Sequence, residues 1–583
     1  MSSSSFRLIL GGVAIAALAS IWGCAAPALE VGKDALRPPP RVVSYELEVH
    51  PRYSVVEVLF RQPGPAPLEL TMTPWQNADF TKNIYDVHAR LAHSGRRLPV
   101  ARTSSHSWTV SSISGKDFIV RYVVVGHRSG LVPVEGQTDS EVATYTGPTQ
   151  FLAWGRGLFL VPKQGGPDWD DIQLDVRAAI PNWDIRTSWG RRTNSFRNFE
   201  DLKRGLLLAG RWKTDETQMQ NSHLQVSITG QWKHPPREIQ RLVRRLLRVQ
   251  SEIFGGYPRN AGLIALIPTA DRARVLATPG GAVFYLPADV ELDGDPDLVK
   301  DLALEHFKVW SGQLFAPRLD TDPTGPYREG HAKWFTSGLS EYYAVRTMMG
   351  MGVLETGDFI PILNAWIKDY FGNPYSFNTP LAVSLAGYAQ NPAIQRLMRV
   401  KGALMGLIID MELRAGSQGL KTLDHLMQKM LRRFADNDAG FSNQDVREML
   451  EELTKSSWEG FFADHVEGTK ILPLADLYRG GLIVIDQPLA IFDLGFRTSG
   501  AAATNVPIVA VTAGSEAEKA GVRVGDIVRA IKLREGRVDR PVRVTLERSG
   551  SKRPVKVKYL PTRLVEMPLA TEVTGLFEDW FSP

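Results

Sequence analysis

The pattern of apolar and polar positions along the chain changes three times, and each change marks a different class of element. Residues 8–22 form a nearly unbroken apolar run behind a short polar start that carries Arg7. From Val42 to about Gly230, short runs such as VVSYELEVH, VVEVLF, PLELTMT, SWTVSS, DFIVRYVVVG and LQVSITG are separated by Gly, Pro, Ser and Asp clusters. Repeated short strands with turn punctuation predict a β-sandwich. After Pro235-Pro236 the period lengthens: Ile239, Leu242, Val243, Leu246 and Ile253 recur at helical spacing, with Arg237, Arg241, Arg244, Arg245 and Arg248 largely on the other faces. The arginine row reads as a solvated face, with lipid headgroups as the alternative. Further helices are expected over 297–310, 334–349, 401–414 and 420–434, and in SNQDVREMLEEL behind the N-cap-like Ser442. Strands and glycines return from about Leu489, in IFDLGF, VPIVAVTAGSEAEKAGVRVGDIVRAI, VRVTLER and VKVKYLP.

Composition narrows this picture without redrawing it. A chain of 583 residues suggests roughly four domains at about 150 residues each. With 43% hydrophobic and 22% charged residues it is neither disordered, collagen-like nor a multi-span membrane protein. A net charge of +5 gives no argument for nucleic acid as a partner. The single cysteine, Cys24, excludes an internal disulfide and a cysteine-based zinc site.

Position gives that cysteine a role. Residues 1–24 have the plan of a secretory signal peptide, and the apolar run is short for a membrane span. Ile21-Trp22-Gly23-Cys24 resembles a bacterial lipobox, in which the cysteine is diacylated and becomes the first mature residue, although Trp22 replaces the small residue usual there. Cleavage after Ala25 or Ala26, or an uncleaved anchor, are the alternatives. A lipid on Cys24 would tether the protein to a membrane of the bacterial cell envelope, facing the periplasm or exterior. Residues 25–41 then form a linker, 42–232 the β-rich domain, 235–475 a mainly helical domain, 489–562 a small β domain and 563–583 a tail. Leu576, Phe577, Trp580 and Phe581 suit the tail to docking.

Several ordered motifs carry a resemblance. WFTSGLSEYYA (334–344), KGALMGLIIDMELR (401–414), KTLDHLMQKM (421–430) and FFADHVEGTKILP (461–473) follow one another as in the PDZ-containing glycyl aminopeptidase family of zinc metallopeptidases. LTMTPW (70–75) and DFTKNIYDV (79–87) also fit, with a PGxY piece between them missing. The resemblance implies an α+β multidomain fold: an N-terminal β-sandwich-like domain, a thermolysin-like mainly helical peptidase domain and a C-terminal PDZ-like β domain. In such gluzincins two histidines of HExxH and a later glutamate hold zinc, and the HExxH glutamate serves as general base.

Carried over residue by residue, that site is degenerate here. Anchored on Trp310, the segment Leu304-Glu305-His306-Phe307-Lys308 puts Leu304 and Lys308 at the histidine positions and leaves Glu305 as the remnant of the general base. Anchored on WFTSGLSEYY, the third ligand position holds Ser337. Leu has no lone pair, Lys is cationic and a Ser hydroxyl is a weak donor, so zinc, the family's cofactor, is not expected. GGAVF places Val283 where the family holds the substrate amine, and Met398 and Arg399 where its oxyanion tyrosines stand. His306 turns about 200° around the helix from Leu304 and cannot replace it. A rebuilt set of Glu305, His331 and Glu341 is the alternative metal site. Lys308, one turn from Glu305, is expected to supply the lost positive charge beside a partly buried carboxylate. Leu494-Gly495-Phe496 resembles a PDZ carboxylate-binding loop. The span between Asp526 and Val542 is too short for the second helix of such a domain, which leaves a packing module as the other reading.

The function expected is an envelope-anchored pseudopeptidase that binds peptides or envelope proteins or scaffolds a complex. The rivals are an active metallo-aminopeptidase using a rebuilt metal site and a purely structural lipoprotein.

Overall fold

The computed structural model describes residues 40–574 apart from 62–66, 73–78, 112–114, 129–130, 132–143, 164–168, 191–192, 197, 221, 258–260, 271–272, 292–294, 319–331, 382–390, 436–439, 500–503, 535 and 552. The expected signal sequence, Cys24, most of the expected linker, His331 and the last nine residues lie outside the described residues. Residues 41–583 group into one compact unit.

The β-rich region is built on a seven-stranded sheet. An interior strand, Val42–Val49, pairs antiparallel with the middle strand Ser54–Arg61 and parallel with Asp171–Ala178. Val43, Tyr45, Leu47 and Val49 are buried, whereas Glu46 is exposed, so the period-two pattern is spent on one covered face. Two four-stranded sheets supply Leu68, Leu70, Trp108, Phe151, Ala153 and Leu207 to the same core.

A five-stranded sheet crosses the boundary expected at 232/235. Lys213–Met219 and Ser222–Ile228 stand beside Ala261–Thr269, Gly281–Pro287 and Arg274–Thr278, with His223 opposite Ala261 and Ile228 opposite Leu266 in parallel register. Parallel neighbours need a crossover of a dozen residues or more, and here it is the helix Pro236–Ile253. Pro235-Pro236 therefore starts a crossover helix within one unit rather than separating two.

The helices, in chain order, are α1 (Phe199–Arg204), α2 (Pro236–Ile253), α3 (Pro296–Val309), α4 (Leu339–Gly350), α5 (Phe359–Gly372), α6 (Pro392–Ser417), α7 (Leu423–Phe434), α8 (Asn443–Thr454), α9 (Glu459–His465) and α10 (Glu516–Lys519). The starts are chemically marked: Asp295 caps α3, Asn391 caps α6 and Ser442 forms a capping box on α8. α6 is buried along most of its 26 residues and is the central helix of the largest core. Among the described residues, no helix is long and apolar enough to cross a membrane.

The C-terminal part differs from the expected division. Residues Thr562–Val573, at the start of the expected tail, form a strand that pairs antiparallel with Leu482–Phe492. This ribbon is anchored to α5, because the Asn364 amide donates to the Ala570 carbonyl and accepts from the Ala570 N–H, both at 2.8 Å. Beyond it, residues 496–559 form a five-stranded antiparallel sheet with the short α10. Strands Ile527–Lys532 and Val542–Glu547 are joined with no helix between them among the described residues, as the short span predicted.

Candidate functional site

Two helices and the turns at their ends frame the site. The Asp295 carboxylate accepts from the amides of Asp297 and Leu298 at 3.1 Å, and Pro296 opens the first turn of α3. α3 runs into a widened π turn at Trp310–Leu314, and a second π turn, Trp334–Gly338, leads into α4. π turns inside helices occur often at functional sites. The second one packs backbone to backbone on α6: a Cβ added at Gly338 would lie 2.3 Å from the Gly402 Cα. Glycine is required on both helices for that approach.

Leu304, Glu305 and Lys308 lie on α3 and Ser337 in the π turn before α4, and all four are partly exposed. Glu305 accepts a hydrogen bond from the Lys308 ammonium at 2.5 Å, the pairing expected from their spacing. The surroundings are wetter than expected, with the side chains of Lys308 and Glu305 43% and 41% exposed. An ion pair in that setting contributes about 0.2–1 kcal/mol, so Glu305 is not a partly buried carboxylate awaiting compensation.

His306 belongs to the interior. It is buried, stacks on Phe284 and bonds through Nδ1 to Gln250 Oε1 at 2.7 Å. Gln250 spends its amide N–H on the Ala303 carbonyl, so its oxygen must accept and His306 Nδ1 carries the proton. Burial pushes the imidazole down to about 3, which keeps it neutral.

The dry part of the site is organised by Glu341, one turn after Ser337. Its carboxylate takes the Lys300 ammonium at 2.7 Å and the Trp366 indole N–H at 3.3 Å, with the Arg399 guanidinium at 4.0 Å. Lys300 lies one turn before Leu304, so this bridge ties α3 to α4 beside the expected metal position. Arg399 thus reaches the site, whereas Met398 is buried in the core and Val283 is enclosed in the strand Gly281–Pro287. The residues at the positions where the resemblance expects ligands do not suit a zinc ion: Leu304 offers no donor and Lys308 is a cation already bound to Glu305. Of the alternative set, Glu305 and Glu341 hold different lysines, and His331 is not described. Among the described residues, no group of three or more His, Cys, Asp or Glu side chains is placed to hold a metal.

Sequence reasoning missed two groups. Lys300 was hidden because its partner is 41 positions away. Lys401, in the KGAL motif, is fully buried with no hydrogen-bond partner for its ammonium among the described residues, and burial pushes it down to about 8. Its place in a long apolar helix was the available signal.

The loop at Leu494-Gly495-Phe496 is internally committed. Gly495 has a φ of 72°, and its amide donates to the Asp493 carboxylate at 2.7 Å. Its carbonyl accepts from the Thr512 amide at 2.8 Å, and the Leu494 carbonyl accepts from Tyr559 Oη at 2.7 Å. Phe496 begins the edge strand Phe496–Thr498, which pairs on one side with Val506–Val511.

Comparison with known proteins agrees with this architecture. No curated protein sequence matches the chain. Among solved structures, an aminopeptidase N family protein from Idiomarina loihiensis aligns over 93% of this chain and 100% of its own, with 17% identity and a TM-score of 0.62. An M1 zinc metallopeptidase from Deinococcus radiodurans aligns over 75% of this chain and 95% of its own, with 15% identity and a TM-score of 0.43. Residues 44–201 match the Peptidase M61 N-terminal domain family, and the chain has the fold of the Idiomarina aminopeptidase N family protein.

Proposed function

We propose that the chain is an envelope-anchored pseudopeptidase that holds peptide or protein segments on the surface around α3 and α4 and does not hydrolyse them through zinc. One observation carries this reading. The two ligand positions on α3 are occupied by Leu304 and Lys308, and Lys308 engages Glu305, the carboxylate that would otherwise activate water. With a cation on the remnant base and no donor at Leu304, hydrolysis lacks both a generated nucleophile and a Lewis acid. The PDZ-like reading of the C-terminal sheet belongs to the same proposal, supported by the edge strand Phe496–Thr498. Lipid attachment at Cys24 would place the chain at an envelope membrane.

The test is metal content of the purified, untagged full-length protein together with turnover of glycyl and alanyl chromogenic substrates. Substoichiometric zinc and no chelator-sensitive turnover are expected. Stoichiometric zinc with chelator-sensitive hydrolysis would overturn the proposal in favour of a rebuilt metal site.

A further inference from the structure

The crossover helix α2 concentrates basic charge on one side. Arg237, Arg241, Arg244, Arg245 and Arg248 fall within an arc of about 100° and over about 16 Å of helix. Arg237, Arg241, Arg245 and Arg248 are exposed, and the opposite side of the helix, through Ile239, Val243, Leu246, Leu247 and Ile253, is sealed into the core. Three arginine pairs stand four residues apart, an arrangement that opposes helix formation through like-charge repulsion. Local acids relieve it only in part. Arg244 takes Asp215 at 2.7 Å and Arg248 approaches Glu252 at 3.8 Å, whereas Arg241 and Arg245 have no acidic partner among the described residues.

The row also borders a groove. Between α2 and the tip of the hairpin formed by Lys213–Met219 and Ser222–Ile228 lies a concave cavity of about 480 Å³, whose lining includes Gln218, Gln220, Arg241, Arg244, Arg245 and Arg248, with Glu252 as its one carboxylate. Its polar donors are guanidinium forks and carboxamides, which suit phosphate oxygens, and guanidinium is the side-chain group best matched to bidentate phosphate contact. A linear row beside a shallow groove matches an extended anionic plane with protruding phosphates better than it matches a single enclosed anion.

We propose that the arginine face of α2 is a docking surface for a bilayer rich in anionic phospholipid, with Arg241 and Arg245 as its free cations and the groove at Gln218 and Gln220 receiving a headgroup. The site is separate from α3 and α4 and stands or falls independently of the pseudopeptidase reading. It would hold the folded unit flat against the membrane in addition to any acyl anchor, in keeping with the need for two signals in stable attachment.

The experiment uses residues 41–583, the compact unit that contains every strand pair and core described above, so that residues 8–22 and Cys24 cannot contribute. Co-sedimentation is measured with vesicles of phosphatidylcholine alone and with added phosphatidylglycerol. Binding is expected only to the anionic vesicles, weakening as salt rises. R241Q/R245Q is expected to bind about 25-fold more weakly, at about fivefold per arginine near an anionic surface. K532Q/R543Q, an equal loss of charge on paired positions of the C-terminal sheet, is expected to bind like the parent. Circular dichroism of both variants excludes misfolding as the cause. Equal binding to neutral and anionic vesicles overturns the proposal, as does an unchanged R241Q/R245Q or an equal effect of the control pair. Displacement by inorganic phosphate beyond that by chloride at matched ionic strength would reassign the groove to free phosphate and also overturn it.

Discussion

On the exposed side of α3, Glu305 and Lys308 pair three residues apart on one helix; on the inner side, Lys300 and Glu341 pair across two helices. The first pair sits at positions where the resemblance expects catalytic machinery, and both its members are more than 40% exposed. The second has a carboxylate only 5% exposed, with an indole N–H and a guanidinium completing its surroundings. The same two residue types therefore do different physical work: one pair decorates a surface, and the other fixes how α3 meets α4. The resemblance expects a zinc ion to link these helices through its ligands; the Lys300–Glu341 bridge links them one turn away from those positions.

The largest expected effect comes from breaking the inner pair. Lys300→Met leaves a buried carboxylate with, among the described residues, only Arg399, at 4.0 Å, and the Trp366 indole for compensation. A cost of about 3 kcal/mol in chemical unfolding is expected, near the lower end for a buried pair that loses one partner, because Lys300 itself is 31% exposed. Lys300→Met combined with Glu341→Leu should recover most of the loss, since removing both charges also removes the desolvation penalty. A single variant as stable as the parent would show that the bridge is not what fixes the two helices.

His306 provides the next test of the dry side. Its folded value is held near 3 by burial, against about 6.5 when unfolded. Above pH 6.5 both states carry the neutral ring and its contribution to stability is fully present. As pH falls from 6.5 towards 3, the unfolded chain takes up a proton that the folded one refuses, and stability is lost. At pH 5 the loss is about 2 kcal/mol. His306→Leu should remove this part of the pH dependence, whatever its own stability at pH 7. An undiminished slope between pH 7 and pH 5 would mean that other groups carry it.

These features differed in how far the sequence exposed them. The alternation in VVSYELEVH and the cap Ser442 act locally, so that strand and that helix start could be read directly, whereas the helix expected over 401–414 starts nine residues earlier, at Pro392 behind the cap Asn391. The i,i+3 spacing of Glu305 and Lys308 is also local, and their contact was foreseen, although its exposure was not. Exposure depends on what packs over the helix, which no short window contains. The crossover role of α2 was missed because a Pro-Pro step looks alike at a domain boundary and at a helix start. Only the parallel register of His223 with Ala261 distinguishes them. Lys300, Glu341 and Trp366 come from three segments spread over 66 positions, and no periodicity connects them.

The smallest expected effect separates the two pairs most sharply. Lys308→Ala removes a cation from a carboxylate that water already reaches, so unfolding should shift by less than about 1 kcal/mol. A double-mutant cycle with Glu305→Gln gives the coupling itself, expected below about 1 kcal/mol and falling as salt rises. Coupling well above that, insensitive to salt, would mean that the pair is shielded from water in solution. The α3 surface would then resemble the interior around Glu341, and Lys308 would be fixing Glu305 in place rather than resting against it.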